Sequence, residues 1–260
     1  MNMWQYVLSN YPVFLLVLLR MAGFIGTSPY LSMQAWPAPA KVGLAAFTAL
    51  WVAPTLHITV PDPFTNAGMF VVDALKETVI GMFLGIIASM MVSAVTVAGQ
   101  AFDIDIGFSS AVLFDPSAGA SVGITSSFLS WMFTVFFLGI GGLDGLMLAM
   151  MKSYQFIPLG VLHFPSNTWA VLSAILGLAM TIGIQMVAPM LVAMLLSDLT
   201  FALLSRAVPQ MNVFVVGLPA KLFVGLTLFA AVMPGVVYVM NQLFQAMFQQ
   251  LNGVLMWLGG

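Results

Sequence analysis

Six stretches of this chain, 4–26, 40–57, 69–98, 124–150, 168–204 and 213–240, are each apolar over roughly the length of a membrane-crossing helix, and they leave little sequence for anything else. A crossing helix needs about 20 mostly apolar residues. Only six Lys/Arg and eight Asp/Glu occur in 260 residues, and 62% of the chain is hydrophobic. A soluble domain carries about 25% charged residues, so lipid or other apolar subunits must cover this surface. The expected fold is an all-α integral membrane protein with about six long, partly broken apolar helices and a C-terminal amphipathic helix. The apolar runs are too long, and lack the alternation, for a membrane β-barrel. A net charge of −2 leaves no basic footprint for nucleic acid, and the absence of cysteine excludes disulfides, thiolate metal sites and cysteine catalysis. No basic residue precedes Arg20, and no small-residue cleavage site is visible before it, so the first stretch is expected to be a retained span.

Prolines punctuate the runs. Pro29, Pro37 and Pro39 follow the first, Pro54, Pro61 and Pro63 the second, and Pro158 and Pro165 the fourth. Each removes a helical N–H and crowds the preceding turn, so these clusters should end helices. Pro189 and Pro234 instead lie within expected spans. Gly81 with Gly85, and Gly141 with Gly145, have the small-xxx-small spacing that lets helix backbones approach closely, either inside one bundle or between subunits. From Val236 to Leu258 apolar residues recur at helical spacing, while Asn241, Gln242, Gln245, Gln249, Gln250 and Asn252 mark the other face. A lipid-surface helix would bring Lys or Arg there. Uncharged amides suit packing or pore lining instead. The 21 methionines give flexible, polarizable contact surface.

The polar interruption Gly99–Gly123 holds four glycines, four serines and three acids, Asp103, Asp105 and Asp115, with no Lys or Arg. It is expected to be a hydrated loop. Asp103 and Asp105 are two apart with no third ligand placed, which does not make a metal site, and no cofactor is implied. Asp73, Lys76 and Glu77 have i,i+3 and i,i+4 spacing, which predicts a locally paired helix start; a proton relay is the alternative for carboxylates at membrane depth. His57 and His163 sit beside prolines at span ends and are expected at the membrane interface. No serine nucleophile motif, phosphate loop or dinucleotide motif appears, so nothing argues for an enzyme.

Three segments together resemble the FliR/SctT family of the flagellar and type III secretion export apparatus, and they lie closer to its flagellar branch. The first is Leu19-Arg20-Met-Ala-Gly-Phe-Ile-Gly-Thr-Ser-Pro29 with Pro37-Ala-Pro-Ala-Lys-Val-Gly-Leu-Ala45. The second is the interruption, from Gly99-Gln100 through Gly107-Phe108 to Phe114-Asp115-Pro116. The third is Arg206-Ala-Val-Pro-Gln-Met-Asn-Val-Phe-Val-Val-Gly-Leu-Pro219, which follows the family signature almost position by position. This chain departs from the family pattern at Gln34-Ala-Trp-Pro-Ala-Pro, which is less basic than usual, and at Asp105-Ile106, where a Gln-Met pair is common.

The resemblance implies a single export-gate domain, with 1–205 similar to FliP-like subunits and 206–260 to FliQ-like ones, built to pack in a helical hetero-oligomer with both. It further implies an associated FlhB-like protein, unfolded rod-type export substrates, lipid contact, and a place in the bacterial inner membrane at the flagellar basal body. Loop 99–123 is the implied pore plug, with Gly107, Phe108, Val112, Leu113, Phe114, Asp115 and Pro116 as its gating residues. Arg206, Pro209, Gln210, Asn212, Phe214, Gly217 and Pro219 are the implied subunit-packing segment. The alternative function is a proton-coupled secondary transporter of small solutes; its hallmark, an inverted repeat with matching broken helices, is not visible here.

Overall fold

The structure, a computed structural model, describes residues 11–56, 58, 60, 64, 66–107, 123–162, 165–208 and 213–259, with only the backbone of 213–215. Seven α-helices account for most of these residues: α1 (Tyr11–Thr27), α2 (Ala38–Val52), α3 (Ala67–Ile106), α4 (Ile124–Gly139), α5 (Gly142–Phe156), α6 (Thr168–Ala207) and α7 (Val213–Gly259). A 3₁₀ turn, Ala53–Thr55, follows α2. No strand occurs among the described residues, and the all-α expectation holds.

The prolines act where the sequence places them. Pro37 is the extended N-cap of α2, with φ −63° and ψ 143°. Pro39 sits in the first turn, where a missing N–H costs nothing. Pro54 falls in the 3₁₀ turn that closes α2. Pro158 and Pro165 lie between α5 and α6.

Helix lengths change the count of spans. The 15 residues of α2 rise about 22 Å at about 1.5 Å each, short of the roughly 30 Å hydrocarbon layer. The 40 residues of α3 and of α6 reach about 60 Å, and the 47 of α7 about 70 Å. Among the described residues three helices, α3, α6 and α7, are long and apolar enough to cross a membrane, and the α4–α5 pair makes a fourth if it counts as one broken span. The expected 124–150 span is interrupted because Gly141 takes φ 79°, a left-handed conformation that glycine adopts without strain. The separate C-terminal amphipathic helix that the sequence predicts is instead the end of α7, which runs through Pro219 and Pro234. Proline in a helix interior costs about 3 kcal/mol. The apolar stripe beyond Pro234 offsets that cost: Val236, Met240, Leu243, Met247, Leu251, Val254, Leu255 and Leu258 are buried. Asn241, Gln242, Gln245 and Gln249 are exposed on the opposite face, as the amphipathic pattern predicts.

The chain forms two compact units, each discontinuous in sequence. The first comprises residues 1–90, 141–175 and 246–260. Its core includes Leu16, Met21, Phe24, Ile80, Leu84, Ile87, Leu146 and Met150. Here α1 crosses α3 at glycines. A methyl group on Gly81 would collide with the backbone of Arg20 and Phe24, one on Gly85 with Thr27 and Phe24, and one on Gly23 with the Thr78 carbonyl. Two hydrogen bonds cross the same contact, from Thr27 Oγ1 to Met82 O (3.1 Å) and from Ser89 Oγ to Thr27 O (2.5 Å). Of the two uses open to the Gly81/Gly85 spacing, the structure realises packing within the chain. Gly145 likewise makes room for Phe248.

The second unit comprises residues 91–140 and 176–245. Phe102 stacks on Phe229 with ring centroids 6.0 Å apart, and Phe128 meets Phe229 edge-on at 5.6 Å. Phe137 meets Phe244 in the same way at 5.6 Å. Gly183 packs on the Ala94 carbonyl, and Gly225 on Ile106 and Met194.

Two glycines with opposite surroundings make a test of this packing. Gly81→Leu should lower the detergent melting temperature sharply, since overpacking costs about 1–3 kcal/mol and rigid backbone cannot yield. Gly177, in α6, has open space where a methyl group would stand, with no atom within 4 Å. Gly177→Ala should raise the melting temperature, through about 0.5–1 kcal/mol of recovered backbone entropy. A melting curve for each variant reads both outcomes.

Candidate functional site

The sequence predicts that the loop begins at Gly99, but α3 continues to Ile106. Gly99 is therefore helical. It serves close approach rather than a turn, because a methyl there would strike Ser126 of α4. The helix stops at Gly107, which takes φ 96°. Asp103 and Asp105 thus stand on the last turn of a helix, not in a loop.

Asp103 is buried, contrary to the hydrated position expected for it. Its two carboxylate oxygens accept hydrogen bonds from the backbone N–H groups of Thr125 and Ser126, both at 2.9 Å. These are the second and third residues of α4, whose N-cap, Gly123, has no side chain to satisfy them. Asp103 supplies in trans the capping oxygens that helix starts require, and its charge suits the positive end of the α4 dipole. Ser126 Oγ adds a bond to Gly123 O at 2.8 Å. The end of α3 and the start of α4 are therefore clipped together at the root of segment 107–123. Of the expected plug residues, Gly107 is the point of exit. Phe108, Val112, Leu113, Phe114, Asp115 and Pro116 lie outside the described residues, as do His57 and His163.

The segment expected to pack against other subunits is partly placed. Arg206 is exposed in the last turn of α6, Gly217 is buried in α7, and Pro219 is exposed two residues later. Pro209, Gln210 and Asn212 are outside the described residues, and the side chain of Phe214 is likewise not described. Among the described residues, no hydrogen bond or ion pair joins Gly107 to Arg206, Gly217 or Pro219.

The first unit contains a buried charge cluster. Arg20, fully buried on α1, donates from Nε to Glu77 Oε2 of α3 at 2.5 Å. Its Nη1 donates to Ser153 Oγ at 3.2 Å, and Nη1 and Nη2 both reach Ile157 O at 3.1 Å. The guanidinium lies 4.4 Å from the ring centre of Tyr154, whose hydroxyl donates to Val17 O. The other oxygen of Glu77 accepts from the Gly160 N–H at 2.8 Å. Lys76 bonds Asp73 Oδ1 at 2.8 Å and Gly160 O at 3.0 Å. Asp73 with Lys76 is the local i,i+3 pair that the spacing predicts. Glu77 leaves that pair because Arg20, in an apolar helix, needs an anionic partner. Three side chains, Arg20, Lys76 and Glu77, thus hold the 157–160 turn by Ile157 O and by both backbone groups of Gly160, whose φ of 77° only glycine adopts freely. Asp73 and Asp103, two of the carboxylates a proton-coupled transporter would need, are committed to these structural bonds.

The chain matches the family described as bacterial export proteins, family 1, over residues 11–247. It belongs to that family. Among curated relatives, the flagellar biosynthetic protein FliR of Bacillus subtilis is 32% identical over 97% of this chain and 98% of its own. The protein of that name from Escherichia coli is 28% identical over 92% and 90%, and that of Aquifex aeolicus 27% over 90% and 90%. These three matches each cover nine tenths or more of this chain.

Loss of either polar anchor should be measurable in purified protein. Glu77→Gln leaves Arg20 buried without its counter-charge and should destabilise by about 3–5 kcal/mol. Asp103→Ala removes the α4 cap and should cost about 1–2 kcal/mol. Thermal unfolding in detergent should rank Glu77→Gln well below Asp103→Ala, with both below the parent protein.

Proposed function

We propose that this chain is a core, non-enzymatic subunit of a flagellar protein export gate in the bacterial inner membrane, at the base of the flagellum. The near end-to-end match to proteins named flagellar biosynthetic protein FliR carries this reading. In it, the chain assembles with FliP-like and FliQ-like subunits, residues 1–205 standing in a FliP-like position and 206–260 in a FliQ-like one, with an FlhB-like protein alongside. Unfolded flagellar proteins of the rod type pass along the assembly axis. Segment 107–123, the part of the expected 99–123 plug that lies beyond α3, closes the passage at rest, with Phe108, Val112, Leu113 and Phe114 as its seal and Asp115 and Pro116 next in sequence. Residues Arg206–Pro219 form a packing segment toward neighbouring subunits.

Two features support this. α3, α6 and α7 are about twice the length a bilayer requires, which suits helices that continue into a protein assembly above or within the membrane. The exposed amide face of α7 is uncharged, as suits helix packing or a water-filled passage rather than lipid.

Deleting residues 108–120 should leave the assembly intact and make it leak ions at rest, read as a raised conductance in reconstituted membranes. Unchanged conductance would remove the plug role. Affinity purification of the tagged full-length chain should bring FliP-like and FliQ-like proteins with it. A well-behaved monomer that moves a small solute would overturn the export reading in favour of the transporter.

A further inference from the structure

In the second unit, an open cleft of about 630 Å³ lies between the end of α3, the later half of α6 and the start of α7. Its walls are mainly apolar, with Ile104, Leu191, Val192 and Leu195 among them. Three charged side chains stand in it: Asp105, Asp198 and Lys221. Lys221 is spoken for, since its ammonium bonds Asp198 at 2.5 Å. That leaves one carboxylate in excess.

Asp105 is the excess charge. It is the penultimate residue of α3, where the helix dipole disfavours an anion. All six lysines and arginines of the chain are among the described residues, and none forms an ion pair with Asp105. The other carboxylates of α3 behave differently: Asp73 pairs with Lys76, Glu77 pairs with Arg20, and Asp103 caps α4. An anion on a long apolar helix is costly unless something compensates it. The surrounding surface is also unpartnered, with Ile104 67% and Leu195 68% exposed.

We infer that this cleft docks an apolar helix of another subunit carrying one lysine or arginine, whose cation sits between Asp105 and Asp198. The charge balance selects a single basic residue: with Lys221 present, one incoming cation neutralises the cleft. The apolar walls select a helix that is otherwise uncharged, and they exclude a hydrated basic tail. A cation bound there also relieves the repulsion between Asp105 and the carbonyl end of α3. This inference rests on the proposed assembly of the chain with other subunits, but on no particular partner.

Photo-crosslinking in intact membranes tests it. A benzophenone amino acid placed at Leu195 of the full-length chain, in cells that normally make it, should cross-link to an apolar peptide containing one Lys or Arg. Asp105→Asn should lower the yield about tenfold or more at equal protein level, because a charge pair in such a site contributes strongly to binding. Asp105→Glu should keep it. Asp105→Lys should abolish it, and changing the partner's basic residue to Glu in the same cells should restore it, together with any lost accumulation of the chain. Adducts to lipid only, a peptide without Lys or Arg, a yield indifferent to Asp105→Asn, or no rescue by the double reversal would each overturn the inference. Motility separates the two readings. Charge-dependent cross-linking in cells that still swim without this chain would sink the export role and leave the docking site standing.

Discussion

The first unit depends on one buried interaction, the ion pair of Arg20 and Glu77. A fully desolvated guanidinium is tolerated only when its donors are used, and here they reach a carboxylate, a hydroxyl and a carbonyl. The pair brings α1 to α3, and the close crossing at Gly23, Gly81 and Gly85 follows from the same contact. It also anchors the 157–160 turn, so the exit of α5 is fixed by side chains from two other helices. Replacing Glu77 leaves the buried guanidinium without its counter-charge, and replacing Arg20 leaves Ser153 Oγ and Ile157 O without the donor they share.

What the sequence made legible is what local chemistry dictates. Proline clusters mark where α1, α2 and α5 give way to loops, and the amide and apolar faces of α7 follow from spacing alone. Arg20 is visible in the sequence as a lone charge in an apolar run, but its partner is 57 residues away, and Glu77 has a nearer cation in Lys76. Nothing local decides between them; burial does. Gly99 misleads for a related reason. Glycine signals both a turn and a close helix contact, and only the neighbouring Ser126 tells which. Asp103 reads as a loop acid because its function lies across the loop, at backbone N–H groups that no side-chain pattern announces. The continuity of α7 through Pro234 was equally hidden, since propensity opposes it and tertiary packing overrides propensity.

The long and short helices divide the work of a chain with so few charges. α2 is too short to cross a bilayer, while α3, α6 and α7 are far too long for one. Much of each long helix must therefore be covered by something other than acyl chains.

The Asp103 clip has a consequence for how the chain between its two anchored ends can vary. Because the end of α3 and the start of α4 are held together by two hydrogen bonds and the packing of Gly99 on Ser126, the ring of chain between them is closed by contacts that lie outside it. Adding residues to such a ring changes its closure entropy slowly, by only about 0.6 kcal/mol for each doubling of length. The fold is thus nearly indifferent to how much chain is strung across that joint. Length and composition there are free to be set by what the segment must meet, while the two helices that carry it keep their register.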